Sequence, residues 1–185
     1  MALIHIDAGD LRERLEVLEL RGDGAGGWQW VSVRRTWGAA ELSARKNVWS
    51  AHSIGAAGVT FTVRRQALTP GHALLWRGQH CFLTSILPLG QNHLTVTAAL
   101  TEITACEDRF TGTTFPGTVT EPYRGHEQRE PQAVNTIRRI LVTPKQVMLL
   151  PGRPVRMGGT DWPITTAYLL EPWYNEYELE RTADL

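Results

Sequence analysis

Residues 59–100 read VTFTVRRQALTPGHALLWRGQHCFLTSILPLGQNHLTVTAAL, four short stretches of strand character joined by turns. In the first, Val59, Phe61 and Val63 alternate with polar residues, which is the period of a strand with one buried and one solvated face. The others are separated by the turns RGQ and PLG, and the last repeats the alternation as LTVTAAL. The segment predicts a four-stranded meander with a hydrophobic face.

Part of this pattern returns later in the chain at a constant spacing. LTPG at 68–71 is matched by LLPG at 149–152, Gly78 by Gly159, and LTS at 83–85 by ITT at 164–166. Each copy predicts a Pro-Gly turn, a strand, a glycine turn and a second strand. Two interpretations stay open: a duplicated unit, or two β-hairpins that share only their turn glycines.

The bulk composition indicates a folded, soluble protein. A chain of 185 residues with 42% apolar residues can form a hydrophobic core in one large or two small domains. No basic start followed by a long apolar run and no stretch of membrane-spanning length occurs, so we expect neither export nor membrane insertion, and cytoplasm as the default compartment. Cys81 and Cys106 are expected to be reduced, buried thiols.

Charge is balanced overall but unevenly distributed. The formal net charge is zero, which argues against a surface that binds nucleic acid throughout. Residues 42–65 carry basic side chains and no acidic one, whereas residues 171–185 are acidic apart from one arginine. These segments are either two solvated faces or complementary contacts between neighbouring copies.

The amino-terminal region predicts a short helix followed by a strand and a hairpin. Asp10 is placed to cap a helix that begins at Leu11, and Leu18 and Leu20 suit a strand. GDGAGG at 22–27 satisfies the G-x-G-x-x-G pattern, but a β-favouring WQWVSV follows it where a dinucleotide site needs a helix. We therefore interpret it as a hairpin tip.

Residues 41–57 lose all periodicity between two predicted strands. They are small and polar, with glycines near the far end. A loop of this length inside a compact domain is typical of a functional segment, so the sequence predicts a long inserted loop of functional interest.

At this point the order of features resembles the phage head-closure family, also called head-tail joining or stopper proteins. The resemblance rests on AGDLR at 8–12, the Gly-rich hairpin before Trp28, TWGA at 36–39, FTVR at 61–64 and the turn at Gly78 followed by a strand. It covers roughly residues 1–105. Each motif is degenerate, and the specificity lies in their order.

The resemblance implies a small β-barrel that is a structural protein and not an enzyme, with no cofactor. Such a protein forms a ring in the virion neck, below the portal or adaptor ring and above the tail terminator or tail tube. It holds packaged double-stranded DNA by closing the channel, and it is present in the host cytoplasm during assembly, without contact to a membrane. Two departures are that RKN at 45–47 replaces a frequent acidic residue, and that members are about as long as the first half of this chain.

The second half predicts a further, smaller β-domain over 106–185, in part a repeat of the first. Residues 106–139 are rich in Pro, Gly and charge, and we place a linker at about 105–114. The apolar segments beyond it read as strands that prolines keep short or at sheet edges. The predicted fold is thus mainly β: a small barrel with a short N-terminal helix and a long inserted loop, then this second domain.

No catalytic or metal motif is predicted. The histidines lack metal-ligand spacing, and His72, His80 and Cys81 fit a turn and a core better than a ligand set. Tryptophans 28, 30, 37 and 76 are expected to pack in the core or at a subunit interface. Trp49, in the predicted loop, is the exception.

Three classes of function follow: a ring protein of the phage neck, which we favour, an OB-like nucleic-acid-binding barrel, and a hydrolytic or carbohydrate-binding β-protein. The neck hypothesis makes two predictions about sites. The channel gate or DNA-facing loop would use Arg45, Lys46, Trp49 and His52. Contacts between subunits or with partners would use Arg64, Arg65, Glu176, Glu178 and Glu180.

Overall fold

The computed structural model describes residues 8–47, 53–54, 56–122 and 136–182, and strands dominate this part of the chain. Its one helical element is a 3-10 turn at Ala8–Asp10. The strands are β1 (Glu13–Gly22), β2 (Trp28–Asn47), β3 (Ser53–Ile54), β4 (Ala56–Arg64), β5 (His72–Trp76), β6 (Gln79–Leu89), β7 (His93–Thr101), β8 (Thr104–Asp108), β9 (Thr114–Pro122), β10 (Thr136–Pro144), β11 (Pro154–Met157), β12 (Thr160–Tyr168) and β13 (Tyr174–Thr182).

The first sheet closes into a barrel in the order β1-β2-β4-β7-β6-β5, with β5 paired back to β1. Val59, Phe61 and Val63 face its interior and are at most 1% exposed. They pack there with Leu15 and Leu74. The predictions of a mainly β chain and of a β-barrel are confirmed.

The order of strands in this barrel differs from the predicted meander. β5, β6 and β7 pair in sequence, but β4 pairs with β2 and β7 and not with β5. The connection from β4 to β5 therefore crosses the barrel. Closure explains this order, because β5 must complete the hydrogen bonds of β1 for the sheet to have no free edge.

The predicted short helix at Leu11 is wrong. From Glu13 the chain is strand, and Leu15 and Val17 are fully buried in the first barrel. β1 pairs with β5 in continuous register from Leu15 to Glu19, so its alternation is not interrupted. Leu15 and Val17 face the first core, whereas Leu20 lies on the opposite face and packs into the core of the second barrel. Because the apolar residues of β1 pass from one face to the other, their spacing also suits a helix.

The predicted loop at 41–57 is also wrong, because most of it is strand. β2 continues to Asn47 and pairs with the start of β4, with a register shift between Leu42 and Lys46. β3 pairs with Glu121 and Pro122 of β9. Glu41, Leu42 and Ser43 are all exposed, so this part of β2 buries neither face and lacks the alternation by which a strand is recognised.

The second sheet closes in the order β8-β9-β10-β13-β12-β11, and β3 is added to β9. β8 and its hairpin occupy the residues predicted as a linker at 105–114, and the sheets change instead at residues 102–103. The strand order is that of the first barrel. Each barrel consists of two three-stranded meanders, β1-β2-β4 and β5-β6-β7 in the first and β8-β9-β10 and β11-β12-β13 in the second. In both barrels the third strands of the two meanders pair with each other, and so do the first strands.

The register of the two barrels matches as well as the order. β5–β7 correspond to β11–β13 after a shift of 81 positions, including a register shift after Leu83 in β6 and after Ile164 in β12. The turn glycines Gly78 and Gly159 both have φ of +79°. A bulge is a specific local feature, so its presence at matching positions means that the likeness extends beyond shared turn residues.

Two close-packed glycines occupy corresponding positions in the barrels. A Cβ on Gly38 would lie 3.0 Å from the side chain of Leu15 and from the carbonyl oxygen of Thr62. A Cβ on Gly117 would lie 3.1 Å from Cys106 Sγ and 2.7 Å from the Leu141 side chain. β1 and β8 supply the residue opposite each glycine. The same crowding at this point of both barrels requires glycine.

The barrels pack against each other through their outer faces. Phe82 and Ala99 of the first barrel form a buried cluster with Ile140, Val142 and Tyr174 of the second, and we call this contact the inter-barrel seam. Aromatic rings extend it: Phe82 lies 6.1 Å from Tyr174, and His80 lies 5.3 Å from Trp30 between ring centroids. Burial of these side chains stabilises the pair of barrels as one unit.

Candidate functional site

An open cleft with three arginines and an exposed indole lies on the outer face of the first barrel. It encloses about 640 Å³, enough for several side chains of a ligand. We call it the Trp37 cleft. Its lining residues are Gly9, Leu11, Arg12, Arg35, Thr36, Trp37 and Arg64.

Strand register places these residues together. Gly38 faces the barrel interior and pairs with Val63, so Trp37 and Arg64 come to lie on the outer face of adjacent strands. Arg35 is two residues before Trp37 and shares its face. Arg12 follows the 3-10 turn, and its Nε donates a 2.6 Å hydrogen bond to the carbonyl oxygen of Gly9. The turn thereby positions one guanidinium at the cleft.

The charges of the cleft are only partly neutralised. Arg35 Nε lies 3.6 Å from Glu16 Oε1. Among the residues that the structure describes, no carboxylate pairs with Arg12 or Arg64. By contrast, Arg77 at the barrel rim binds Glu13 at 2.7 Å. Hydrogen bonds from this arginine and from the neighbouring indole lower the pKa of the Glu13 carboxyl. The Trp37 cleft therefore offers positive charge to a ligand.

The second barrel shows that the fold does not need these side chains. Thr114 and Pro116 stand at the positions before Gly117 that Arg35 and Trp37 occupy before Gly38. Pro144 occupies the position in the second barrel that Arg64 occupies in the first. Arg64 pairs with the first residue of β7, and Pro144 pairs with the first residue of β13, the strand that corresponds to β7. The same barrel thus forms without the arginines and the indole.

The predicted contact residues fall in different environments. Arg64 lies in the cleft, and Arg65 Nη1 donates to the carbonyl oxygen of Gln91 at 3.3 Å. Glu176 is only 1% exposed, so the prediction that it contacts a partner is wrong. Glu178 accepts a hydrogen bond from the Tyr168 hydroxyl. Glu180 pairs with Arg138 at 3.3 Å. The acidic strand β13 is thus largely occupied within the chain.

The predicted gate residues are mostly beyond what the structure describes. Arg45 and Lys46 belong to β2, with side chains outside the described part, and Trp49 and His52 lie outside the described residues altogether. The carboxyl-terminal flank of this segment is held in place, because β3 pairs with β9. Their role at a channel stays a prediction.

Histidines and cysteines do not converge on a metal site in the part of the chain that is described. His72 Nδ1 contacts Thr69 Oγ1 at 2.8 Å, while His80 lies buried at the seam. Cys81 and Cys106 face separate barrel cores, and burial raises the pKa of each thiol to about 12. The expectation of buried thiols is met.

The tryptophans divide between packing and exposure. Trp76 is buried in the first core, and Trp28 and Trp30 pack against the second. Trp37 is 57% exposed, so it does not pack in a core, and its predicted place at a subunit interface stays a prediction. The signal was its glycine neighbour: because Gly38 must face the crowded interior, the residue before it faces outward.

Comparisons with protein-family models, with curated proteins and with solved structures found no match. Within the described ranges, no helix is long and apolar enough to cross a membrane.

Proposed function

We propose that this chain is a structural protein of a phage neck, which forms a ring that closes the DNA channel of the filled head and provides the surface on which the tail docks. The carrying observation is that residues 13–101 form one closed six-stranded β-barrel. This is the fold that the resemblance implies, over the same residues that carry it.

The motifs of the resemblance have structural roles within that barrel. Gly24 and Gly26, with φ of +81° and +93°, make the hairpin between β1 and β2. Asp23 Oδ1 accepts hydrogen bonds from the backbone of Ala25 and Gly27, both at 2.8 Å, which closes this turn. Gly38 allows β2 to approach β1 and β4 closely. These positions support the resemblance because each motif serves the geometry of one barrel.

The second barrel extends the proposal. Its matching strand order and register indicate that one chain carries two copies of the barrel unit, packed at the seam. Each subunit would then contribute two barrels to the wall of the ring. In this proposal packaged DNA meets the ring through non-specific contacts with its phosphates, and the portal or adaptor ring and the tail terminator or tail tube are the protein partners.

A nucleic-acid-binding barrel is the second candidate function. The exposed indole of Trp37 beside Arg12 and Arg64 favours it, since bases stack on aromatic rings and phosphates bind guanidinium groups. The net charge of zero favours the neck function, because binding along a strand needs an extended basic surface.

Assembly of virions with and without the protein tests the proposed function. Cells infected with a phage that lacks the gene should accumulate DNA-free heads and free tails, and purified protein supplied to the mutant extract during packaging should restore filled heads and tail joining. Electron microscopy of those heads should show a ring at the portal vertex. Tailed, infectious particles in the absence of the gene would refute the proposal.

A further inference from the structure

We propose that the Trp37 cleft binds an acidic segment of another protein, in which carboxylates pair with the arginines and an apolar side chain packs on the indole. This inference rests on the proposed function only for the place of that partner, an adjoining ring of the neck. The binding itself follows from the residues of the cleft.

The charge of the cleft is complementary to carboxylates. Three guanidinium groups converge on one concave surface, and Arg12 and Arg64 have no carboxylate partner within the described residues. A guanidinium binds a carboxylate through two parallel hydrogen bonds, which is a stronger and more directional contact than an ammonium makes. A ligand with several carboxylates is therefore complementary to the cleft.

The exposed indole of the cleft offers an apolar surface to the ligand. Trp37 leaves 57% of its surface in contact with solvent at the wall of the cleft. Covering such a surface is favourable, and tryptophan and arginine are the residues that most often dominate the energy of protein interfaces. An indole between guanidinium groups suits a segment that mixes acidic and apolar side chains.

The repeat within the chain separates the cleft from the needs of the fold. Thr114, Pro116 and Pro144 replace Arg35, Trp37 and Arg64 in the second barrel, which closes in the same register. These three side chains of the cleft are thus not required for barrel formation. A binding role accounts for two arginines and an exposed indole at these positions of one barrel only.

A protein ligand fits better than a nucleic acid. The positive charge is confined to one cleft, where Glu16 lies 3.6 Å from Arg35, on a chain of zero net charge, whereas a row of phosphates needs an extended basic surface. The concave shape also suits individual side chains better than the regular backbone of a duplex.

The partner is a protein other than a second copy of this chain. The acidic strand β13 was the candidate for a contact between copies, but Glu176 is buried and Glu178 is bonded to Tyr168. Glu180 is paired with Arg138. Docking these groups in the cleft would first break contacts within the chain, which disfavours β13 of a second copy as the ligand.

Fluorescence anisotropy with the purified full-length chain tests this inference. The probe is a fluorescein-labelled peptide of alternating Glu and Gly around one Phe, with a peptide carrying Gln for every Glu as its control. We expect the Glu peptide to bind and to be weakened by added salt. Joint replacement of Arg12, Arg35 and Arg64 by Gln should weaken binding at least about tenfold, since charged hydrogen bonds are lost.

Matched variants separate the cleft from general charge and from folding. Arg21→Gln removes an exposed arginine of the same barrel, which pairs with Glu19, and should leave binding unchanged. Trp37→Ala keeps every charge and should still weaken the Glu peptide severalfold, whereas Trp37→Phe should restore part of it. Circular dichroism and thermal unfolding of each variant should match the parent chain.

Three results would overturn the inference. In the first, the Gln peptide binds as tightly as the Glu peptide, or the Glu peptide does not bind. In the second, a DNA duplex binds more tightly than the Glu peptide, and the triple variant abolishes this binding. In the third, the chain associates with itself, and the triple variant abolishes this association. The second would favour a nucleic-acid ligand and the third a second copy. None of them bears on tail joining in the assembly assay, so the two proposals fail separately.

Discussion

His80 should make the protein less stable as the pH is lowered, in a range where carboxylates are still ionised. The imidazole is 8% exposed and lies at the inter-barrel seam between Trp30 and Phe82. Its Nδ1 contacts Thr101 Oγ1 at 3.3 Å, and its Nε2 has no hydrogen-bond partner among the described residues. Burial lowers the pKa of His80 from 6.5 to about 4.

The direction and size of the effect follow from this pKa. Below pH 6.5 the unfolded chain binds a proton at this histidine, and the folded chain does so only near pH 4, so lowering the pH through this window favours unfolding. The pKa of His80 differs by about 2.5 between the unfolded and the folded chain, which corresponds to a total loss of about 3 kcal/mol in the free energy of unfolding. About 2 kcal/mol of this should be lost by pH 5. The seam should be the first contact affected.

Urea unfolding between pH 7.5 and 5, followed by tryptophan fluorescence, measures this loss. His80→Leu removes the proton site and keeps an apolar side chain, so its free energy of unfolding should fall about 2 kcal/mol less over this range than that of the parent. Desolvation also lowers the pKa of His72, but His72→Gln retains His80 and should retain most of the slope. Parallel pH dependence of the parent and His80→Leu would refute the reasoning.

Three further predictions concern the cores and the seam. Gly117→Ala should lower the free energy of unfolding by about 1–3 kcal/mol, because its Cβ would lie 2.7 Å from a buried leucine of β10. A Cβ at Gly9 meets nothing within 4 Å, so Gly9→Ala is the control, and equal stability of the two variants would contradict the prediction. Phe82→Ala should lower it by about 3–5 kcal/mol by opening a cavity at the seam, and a loss below 1 kcal/mol would mean that the seam is not closely packed. Cys81 and Cys106, whose thiol pKa burial raises to about 12, should react with Ellman's reagent at pH 8 only after denaturation, and rapid reaction of the native protein would show that the cores open readily.

Local pattern was sufficient for much of the fold. The alternation at Val59, Phe61 and Val63 predicts directly which side chains face a core. The Pro-Gly and glycine turns predicted both copies of a hairpin. The pattern failed where the local signal has two explanations. β1 buries Leu15 and Val17 on one face and Leu20 on the other, which gives it a helical spacing. The part of β2 at 41–43 looked like a loop because neither of its faces is buried.

The candidate site was only partly predictable. Uneven charge drew attention to Arg64, which does lie in the cleft, and to Glu176, which is buried. Arg12 was noted only as part of the AGDLR motif and Arg35 not at all, because nothing local distinguishes them from other surface arginines. They reach Arg64 through the pairing of β1, β2 and β4, strands whose contacting residues are far apart in the sequence.

The sequence by itself determined that the chain is mainly β, that residues 59–63 form a strand with one buried face, and that part of a hairpin recurs after Leu149. These properties depend on the spacing of side chains along one strand. Tertiary structure alone decided that β4 pairs with β7, that the second half closes into a barrel of the same register, and that Trp37 faces solvent among three arginines. The reason is that strand pairing is a contact between distant segments: closure of each barrel selects the partners and the register, and a shift of one residue would turn every side chain to the other face.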